Sequence, residues 1–285
     1  MPGLRTTGDW NRAIEAGQWL PFGSRKAPSA SFISTAGRWV DLSMAGGSPP
    51  ANYYATTPLL AATLDKYRGI FHGDDKLPSY KQLAEITLQT PTAGLIGAYK
   101  LLDYLLYYPF IDLEDTDDQV MDNAVQLPRY SDGANVQAML VVTNQTTSGG
   151  SFTFDYEDQD GNSQTSPTIF TDTTSAGAGV LATSAPGTVA GLGPFMPLIG
   201  GDTGIRRITA FRNLTPTGGL ASLVLVRKLA DLAIREVGSP SEFIFGGPGT
   251  KPPRITDGAF LGMIANCSAS IASGLLLTDG IITWN

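Results

Sequence analysis

The sequence predicts a β-rich (α+β) protein whose body is an antiparallel β-sandwich of jelly-roll type, preceded by an extended N-terminal arm and a short helical region. Three observations carry that expectation. From residue 136 onward, apolar and polar residues alternate with the period of two that half-buried strands require. Asp160-Gly161 supplies the two positive-φ positions that a tight hairpin turn needs. The connections between apolar runs are long and rich in Gly, Thr and Ser, which suits a sandwich and leaves little room for helix. An immunoglobulin-like sandwich or a barrel satisfies the same pattern.

Composition narrows the function classes. With 285 residues, 42% of them hydrophobic and 16% charged, the chain can bury one large core or two modest ones. A net charge of -7 and the lack of any Lys/Arg cluster argue against direct binding of nucleic acid, whose phosphates reward clustered cations. The pairs Arg206-Arg207 and Arg227-Lys228 lie inside apolar runs and read as strand residues with outward charges. Cys267 is the single cysteine, so an intrachain disulfide and a CxxC site are both excluded. Residues Met1 to Asp9 lack the apolar core of a secretory signal, which predicts folding where the chain is made. Ala259 to Leu277 carries no charge and has the length of a membrane span. Asn266, Ser268, Ser270 and Ser273 within it favour buried paired strands, so no membrane partner is expected.

Residues 1–55 read as an irregular arm that nevertheless holds Trp10, Trp19, Phe22, Phe32, Trp39, Tyr53 and Tyr54. A disordered tail lacks such anchors because it buries nothing. These seven are the candidate interaction residues, laid either on the chain's own body or on a neighbouring subunit.

Residues 56–130 read as helical. Thr57-Pro58 and Thr90-Pro91 each place a capping hydroxyl before a proline that tolerates the first helical position. A helix over 58–68 would end at Gly69. Ser79 with Gln82 matches a capping box for a short helix carrying Leu83 and Ile86. A third helix, from Pro91, repeats Leu95, Tyr99, Leu102 and Leu106 and stops before Pro109, with Tyr104, Tyr107 and Tyr108 widening its apolar face. An acidic connector with Asp112, Glu114, Asp115, Asp117, Asp118 and Asp122 then leads through Leu127-Pro128-Arg129-Tyr130 to the β domain at 131–285. Strands are expected there at 136–143 and 152–157, then near 205–211, 220–229, 241–245, 259–265 and 271–284.

The chemistry-bearing residues do not assemble into a reactive site. His72, the single histidine, sits in a turn-like setting beside Gly73-Asp74-Asp75, with no nucleophile motif, and reads as a turn or surface histidine. Cys267 reads as a buried inert thiol. Asp155, Glu157, Asp158 and Asp160 before Gly161 resemble a cation loop, but Tyr156 and Pro167 fall where an EF-hand needs ligands. The acidic connector could hold a cation but reads first as a solvated face. Paired carboxylates alone could serve a glycosidase. P-loop, zinc-helix and dinucleotide motifs are missing, and the glycine-dense stretch from Phe245 to Gly249 reads as a loop. A non-enzyme with no catalytic residue, cofactor or metal is therefore the expectation.

The acidic connector with its Leu-Pro-Arg-Tyr end (Ile111 to Tyr130), the strand Gly133 to Val142, the hairpin Phe152 to Gly161 and the run Leu275 to Trp284 together resemble structural proteins of tailed-bacteriophage virions, especially capsid cement or decoration proteins. The resemblance implies a jelly-roll body seated on an icosahedral head and bridging its capsomers. It also implies location on the capsid surface after synthesis in the host cytoplasm, with the major capsid protein and copies of itself, as in a trimer, for partners. It implies no particular site residue. Other readings of the same features are a carbohydrate-binding or receptor-binding module such as a head fibre or tail component, and the major capsid subunit itself.

Overall fold

The computed structural model describes residues 6–28, 36–77, 79–171, 176–183, 193–245 and 252–284. One helix, α1 (Thr7–Glu15), opens them. The strands then run β1 (Trp19–Ala27), β2 (Trp39–Asp41), β3 (Gly46–Ser48), β4 (Ala62–Thr63), β5 (Lys81–Gln89) and β6 (Gly97–Asp112). They continue as β7 (Gln119–Val120), β8 (Val136–Asn144), β9 (Ser151–Asp158), β10 (Ser163–Thr165), β11 (Ile169–Phe170) and β12 (Ile205–Thr215). The last are β13 (Leu220–Ile234), β14 (Ser241–Ile244), β15 (Arg254–Ile255), β16 (Phe260–Cys267) and β17 (Leu276–Thr283).

These strands make three antiparallel sheets. A central sheet has the order β2-β16-β6-β13-β8, with β4 added to β6. One flanking sheet has the order β14-β5-β17-β1-β3, with β15 on β5, and the other β10-β9-β12-β7, with β11 on β9. The antiparallel sandwich expected from the sequence is present, with a third layer that a double-sheet jelly roll lacks.

Two apolar cores follow from this layering. Along β13, Val224 and Val226 join the core shared with Leu83, Ile86, Leu88 and Leu276 of the first flanking sheet. Their neighbours Leu223 and Leu225 join the core shared with Phe152, Phe154, Tyr156 and Phe211 of the second. Strand β8 divides in the same way, Met139 and Val141 going to one core and Ala138, Leu140 and Val142 to the other. Successive side chains of a strand point to opposite faces, so the central sheet is buried on both.

That double burial overturns the helical reading of residues 56–130. The expected helix over 58–68 is short β4 followed by a single tight turn at Lys66–Arg68, and the capping-box helix at 79–86 is strand β5. The helix expected from Pro91 is one tight turn at Ala93–Leu95 and then the 16-residue strand β6. A strand buried on both faces is apolar almost without interruption, and an uninterrupted run contains helical spacings by necessity. The expected arm is likewise woven into the body. Strand β1 lies between β17 and β3, and β2 pairs with β16. Helix α1 starts at a reciprocal cap in which the Asp9 amide donates to the Thr6 hydroxyl and the Thr6 amide donates to the Asp9 carboxylate. The strands expected beyond residue 131 are all found, and the uncharged segment 259–277 contains β16 and the start of β17. No helix among the described residues is long and apolar enough to cross a membrane.

Met139→Ala and Leu225→Ala probe opposite faces of the central sheet at fully buried positions. Each is expected to lower unfolding free energy by about 2–5 kcal/mol. Urea titration checks this, since a sheet with one solvated face would leave one of the two variants near the wild-type midpoint.

Candidate functional site

Sheet geometry opens a groove at the junction of the central and first flanking sheets. Strand β8 pairs with β13 only as far as Val136, opposite Arg227, so β13 continues beyond that residue without β8 along its edge. The resulting space of about 660 Å³ is lined by Tyr80 and Gln82 at the start of β5, Arg227 and Lys228 on β13, Arg254 on β15, and Tyr130 from the connector.

Two arginines in the groove lie on two tyrosines. The Arg227 guanidinium is 4.0 Å from the Tyr130 ring centre, and that of Arg254 is 3.7 Å from the Tyr80 ring centre. The Tyr130 hydroxyl, 3.0 Å from Thr256 Oγ1, fixes its ring. Stacking uses the face of a guanidinium and leaves its in-plane N–H groups directed outward, an arrangement suited to carboxylate or phosphate oxygens. Among the described residues, no carboxylate lies within ion-pair distance of Arg227 or Arg254, whereas Lys228 is paired with Asp231 at 2.7 Å. The groove is therefore a cationic, aromatic surface with unspent donors.

Two buried polar clusters are built from the chain neighbours of the residues that line the groove. Arg129 donates twice to Asp103, at 2.7 and 3.0 Å, and also to the carbonyls of Tyr104 and Gly258. Asp103 is fully buried on β6 directly opposite Arg227. Burial pushes its carboxyl upward, and the Arg129 hydrogen bonds and charge oppose that shift. This clamp fixes the connector to the sheet and positions Tyr130. In the second cluster Lys81, 1% exposed, bridges His72 Nδ1 at 2.9 Å and Asp257 at 3.0 Å. His72 Nε2 is 2.8 Å from the Ala259 carbonyl, so that nitrogen carries the proton. Burial, and then the adjacent Lys81 charge, depress His72 to about 4.

A third network lies in the first core. Asp41, wholly buried, accepts from the Tyr54 hydroxyl, from the Tyr104 hydroxyl at 2.7 Å and from the Ser43 amide and hydroxyl at 2.8 and 2.9 Å. Burial raises its carboxyl while these donors lower it. Nearby Lys26 donates to the carbonyls of Ala45 and Pro49, and burial brings it down to about 8.

The proposed anchor residues do not converge on one surface. Phe22 and Tyr54 are in the core, Trp39 packs against it, Trp10 is half-buried, and Trp19 and Tyr53 are exposed. Phe32 lies outside the described residues. His72 is buried, which corrects its reading as a turn or surface histidine. Cys267 is buried as expected, and burial raises its thiol to about 11. Arg206 and Arg207 stand on β12 around Glu157, with Arg207 2.6 Å from it. Asp158 is enclosed by its own hairpin, receiving the amides of Asp160 and Asn162 and the side chains of Asn162 and Gln164. No group of three His, Cys, Asp or Glu side chains suited to a metal ion occurs among the described residues. Sequence reasoning noticed Arg227 but missed its groove, because Tyr80, Tyr130 and Arg254 are far apart in the chain and no local signal joins them.

No protein-family model matches the chain, and no curated protein matches it. Among solved structures, a T=1 particle derived from infectious bursal virus aligns at 12% identity, covering 93% of this chain and 77% of that one, with a TM-score of 0.16. The VP2 subviral particle of infectious bursal disease virus aligns at 9% identity, covering 93% and 80%, with a TM-score of 0.15. Likenesses at this level assign neither fold nor function to the chain.

Two outcomes test the buried clusters. Arg129→Met leaves Asp103 buried without its partner and is expected to cost about 3–5 kcal/mol, much of it recovered by adding Asp103→Leu. A double-mutant cycle in urea measures that recovery. His72 is held neutral in the fold while the unfolded chain protonates near pH 6.5. Its contribution is thus complete above pH 6.5 and is lost as pH falls toward 4, by about 3 kcal/mol in all. Melting temperature against pH should flatten over that window in His72→Gln.

Proposed function

We propose that the chain is a structural subunit of a virus particle, and more specifically a capsid cement or decoration protein that bridges capsomers of a tailed-phage head. The observation that carries this reading is a set of exposed large apolar side chains near the start of β1. Trp284 donates its amide to the Gln18 carbonyl, and its ring lies 4.4 Å beneath Lys76 Nζ. Gln18, Lys76 and Trp284 therefore meet, and the segments that carry them expose Ile14, Trp19, Tyr67, Phe71 and Leu77, each 41 to 75% accessible. Tyr67 and Phe71 stack on one another at 6.5 Å. Large apolar side chains gathered on a soluble surface are the usual mark of a protein interface. A rigid body with such a face suits attachment to a shell better than catalysis.

The interface uses side chains on folded elements. Deleting residues 1–55 would remove β1 from the middle of a sheet, so substitutions make the better test. In particles purified from the source virus, the chain should occur at a copy number set by the icosahedral lattice. Trp19→Ser with Phe71→Ser should abolish its attachment to shells lacking it while leaving its melting temperature within a few degrees. Absence from the particle, or attachment indifferent to the double substitution, overturns the proposal. Shells that form only when the chain is present would identify it as the shell subunit instead.

A further inference from the structure

We infer that the Arg-Tyr groove receives the acidic β6–β7 turn of a second copy of this chain, giving a head-to-tail contact. The groove offers Arg227 and Arg254, each stacked on a tyrosine and without a carboxylate partner among the described residues. Its volume, about 660 Å³, falls within the range of roughly 300–1,000 Å³ typical of sites that enclose a compact ligand. The complementary element is the turn carrying Glu114, Asp115, Asp117 and Asp118, all exposed.

That turn is held ready by its own geometry. Asp112 accepts the Glu114 amide and Asp115 accepts the Asp117 amide, each at 2.9 Å, while Asp118 is committed to Arg212. The side chains of Glu114 and Asp117 have no cationic partner among the described residues, and they supply carboxylates in the form that stacked guanidinium groups bind bidentately. Intramolecular pairing is excluded by distance. Arg227 lies opposite Asp103 on β6 and Leu220 lies opposite Asp112, where the turn begins. Those two levels are seven residues apart along β13, about 23 Å at the rise of a strand. Groove and turn can meet only between copies.

A free polyanion is the competing occupant. The chain's net charge of -7 repels a polyanion and a second copy alike, but the turn of a second copy arrives with its carboxylates already fixed by its own hydrogen bonds, which a flexible polyanion lacks. Because groove and turn are different patches, the contact is heterologous and propagates as a ring or a filament. The inference concerns the isolated chain, so its failure would leave the virion proposal standing.

Sedimentation equilibrium of the purified full chain tests it. Wild type should self-associate, more weakly as salt rises from about 0.1 to 1 M and the screening length falls from about 10 to 3 Å. Glu114→Lys with Asp117→Lys, and separately Arg227→Glu with Arg254→Glu, should each weaken association about tenfold or more. The milder pair Arg227→Gln with Arg254→Gln repeats the test should the reversed groove fail to fold. An equimolar mixture of the two reversed proteins should recover a mixed complex, because a lysine turn then faces a glutamate groove. Monomeric wild type, indifference to either reversal, or failure of the mixture to associate overturns the inference. So does polyphosphate that binds the groove while self-association is unaffected by the substitutions.

Discussion

Burial of the central sheet on both faces is the constraint from which the rest of the architecture follows. A strand with one wet face can point every second side chain at water, but β6 and β13 have no such outlet over most of their length. Any polar group placed there needs an internal partner. The clamp of Arg129 on Asp103 and the ring of donors around Asp41 answer that requirement. Both draw their partners from segments that would otherwise be loose. Arg129 belongs to the long connector and Tyr54 to the segment between β3 and β4. The same polar groups that strain the core thus tie its loops down.

This constraint also separates what could be read from the sequence from what could not. Strands β8, β9, β12, β13, β14, β16 and β17 announced themselves by alternation, by Asp160-Gly161 and by the glycine-rich spacers around them. Strand β6 did not, although it is the longest. Leu95, Tyr99, Leu102 and Leu106 fell at helical spacing only because nearly everything from Tyr99 to Ile111 is apolar. Its run of tyrosines favours strand while Lys100 and Asp103, three residues apart, keep helical spacing, so without knowledge of a third layer the period is ambiguous. The N-terminal aromatics lack a local signal for a related reason. Short strands with non-local partners leave no periodicity between Trp19 and Tyr54, and of the two surfaces open to them Phe22, Trp39 and Tyr54 take the chain's own body.

The site was less legible than the fold. Arg227-Lys228 inside an apolar run was visible, and an outward-facing strand pair was the right local description. What makes Arg227 distinctive is the end of β8 beside it and the arrival of Tyr130 beneath it, both of which are tertiary facts. The phrase Leu-Pro-Arg-Tyr stood out in the sequence without a reason. The structure supplies one, since Arg129 secures the connector and the next residue becomes the platform for a groove arginine.

The pairing of β1 with β17 sets the terms on which any assembly role must work. Trp19 pairs with Thr283, and β17 itself lies between β1 and β5, so the first flanking sheet closes only through contacts of very long sequence separation. Such contacts form late and slowly because loop closure must precede them. The exposed apolar group around Trp19 and Trp284 stands on that same junction. It is therefore complete only in a molecule whose flanking sheet has closed, and a partially folded chain cannot present it. Recognition by a partner would then select finished subunits, with no separate switch required.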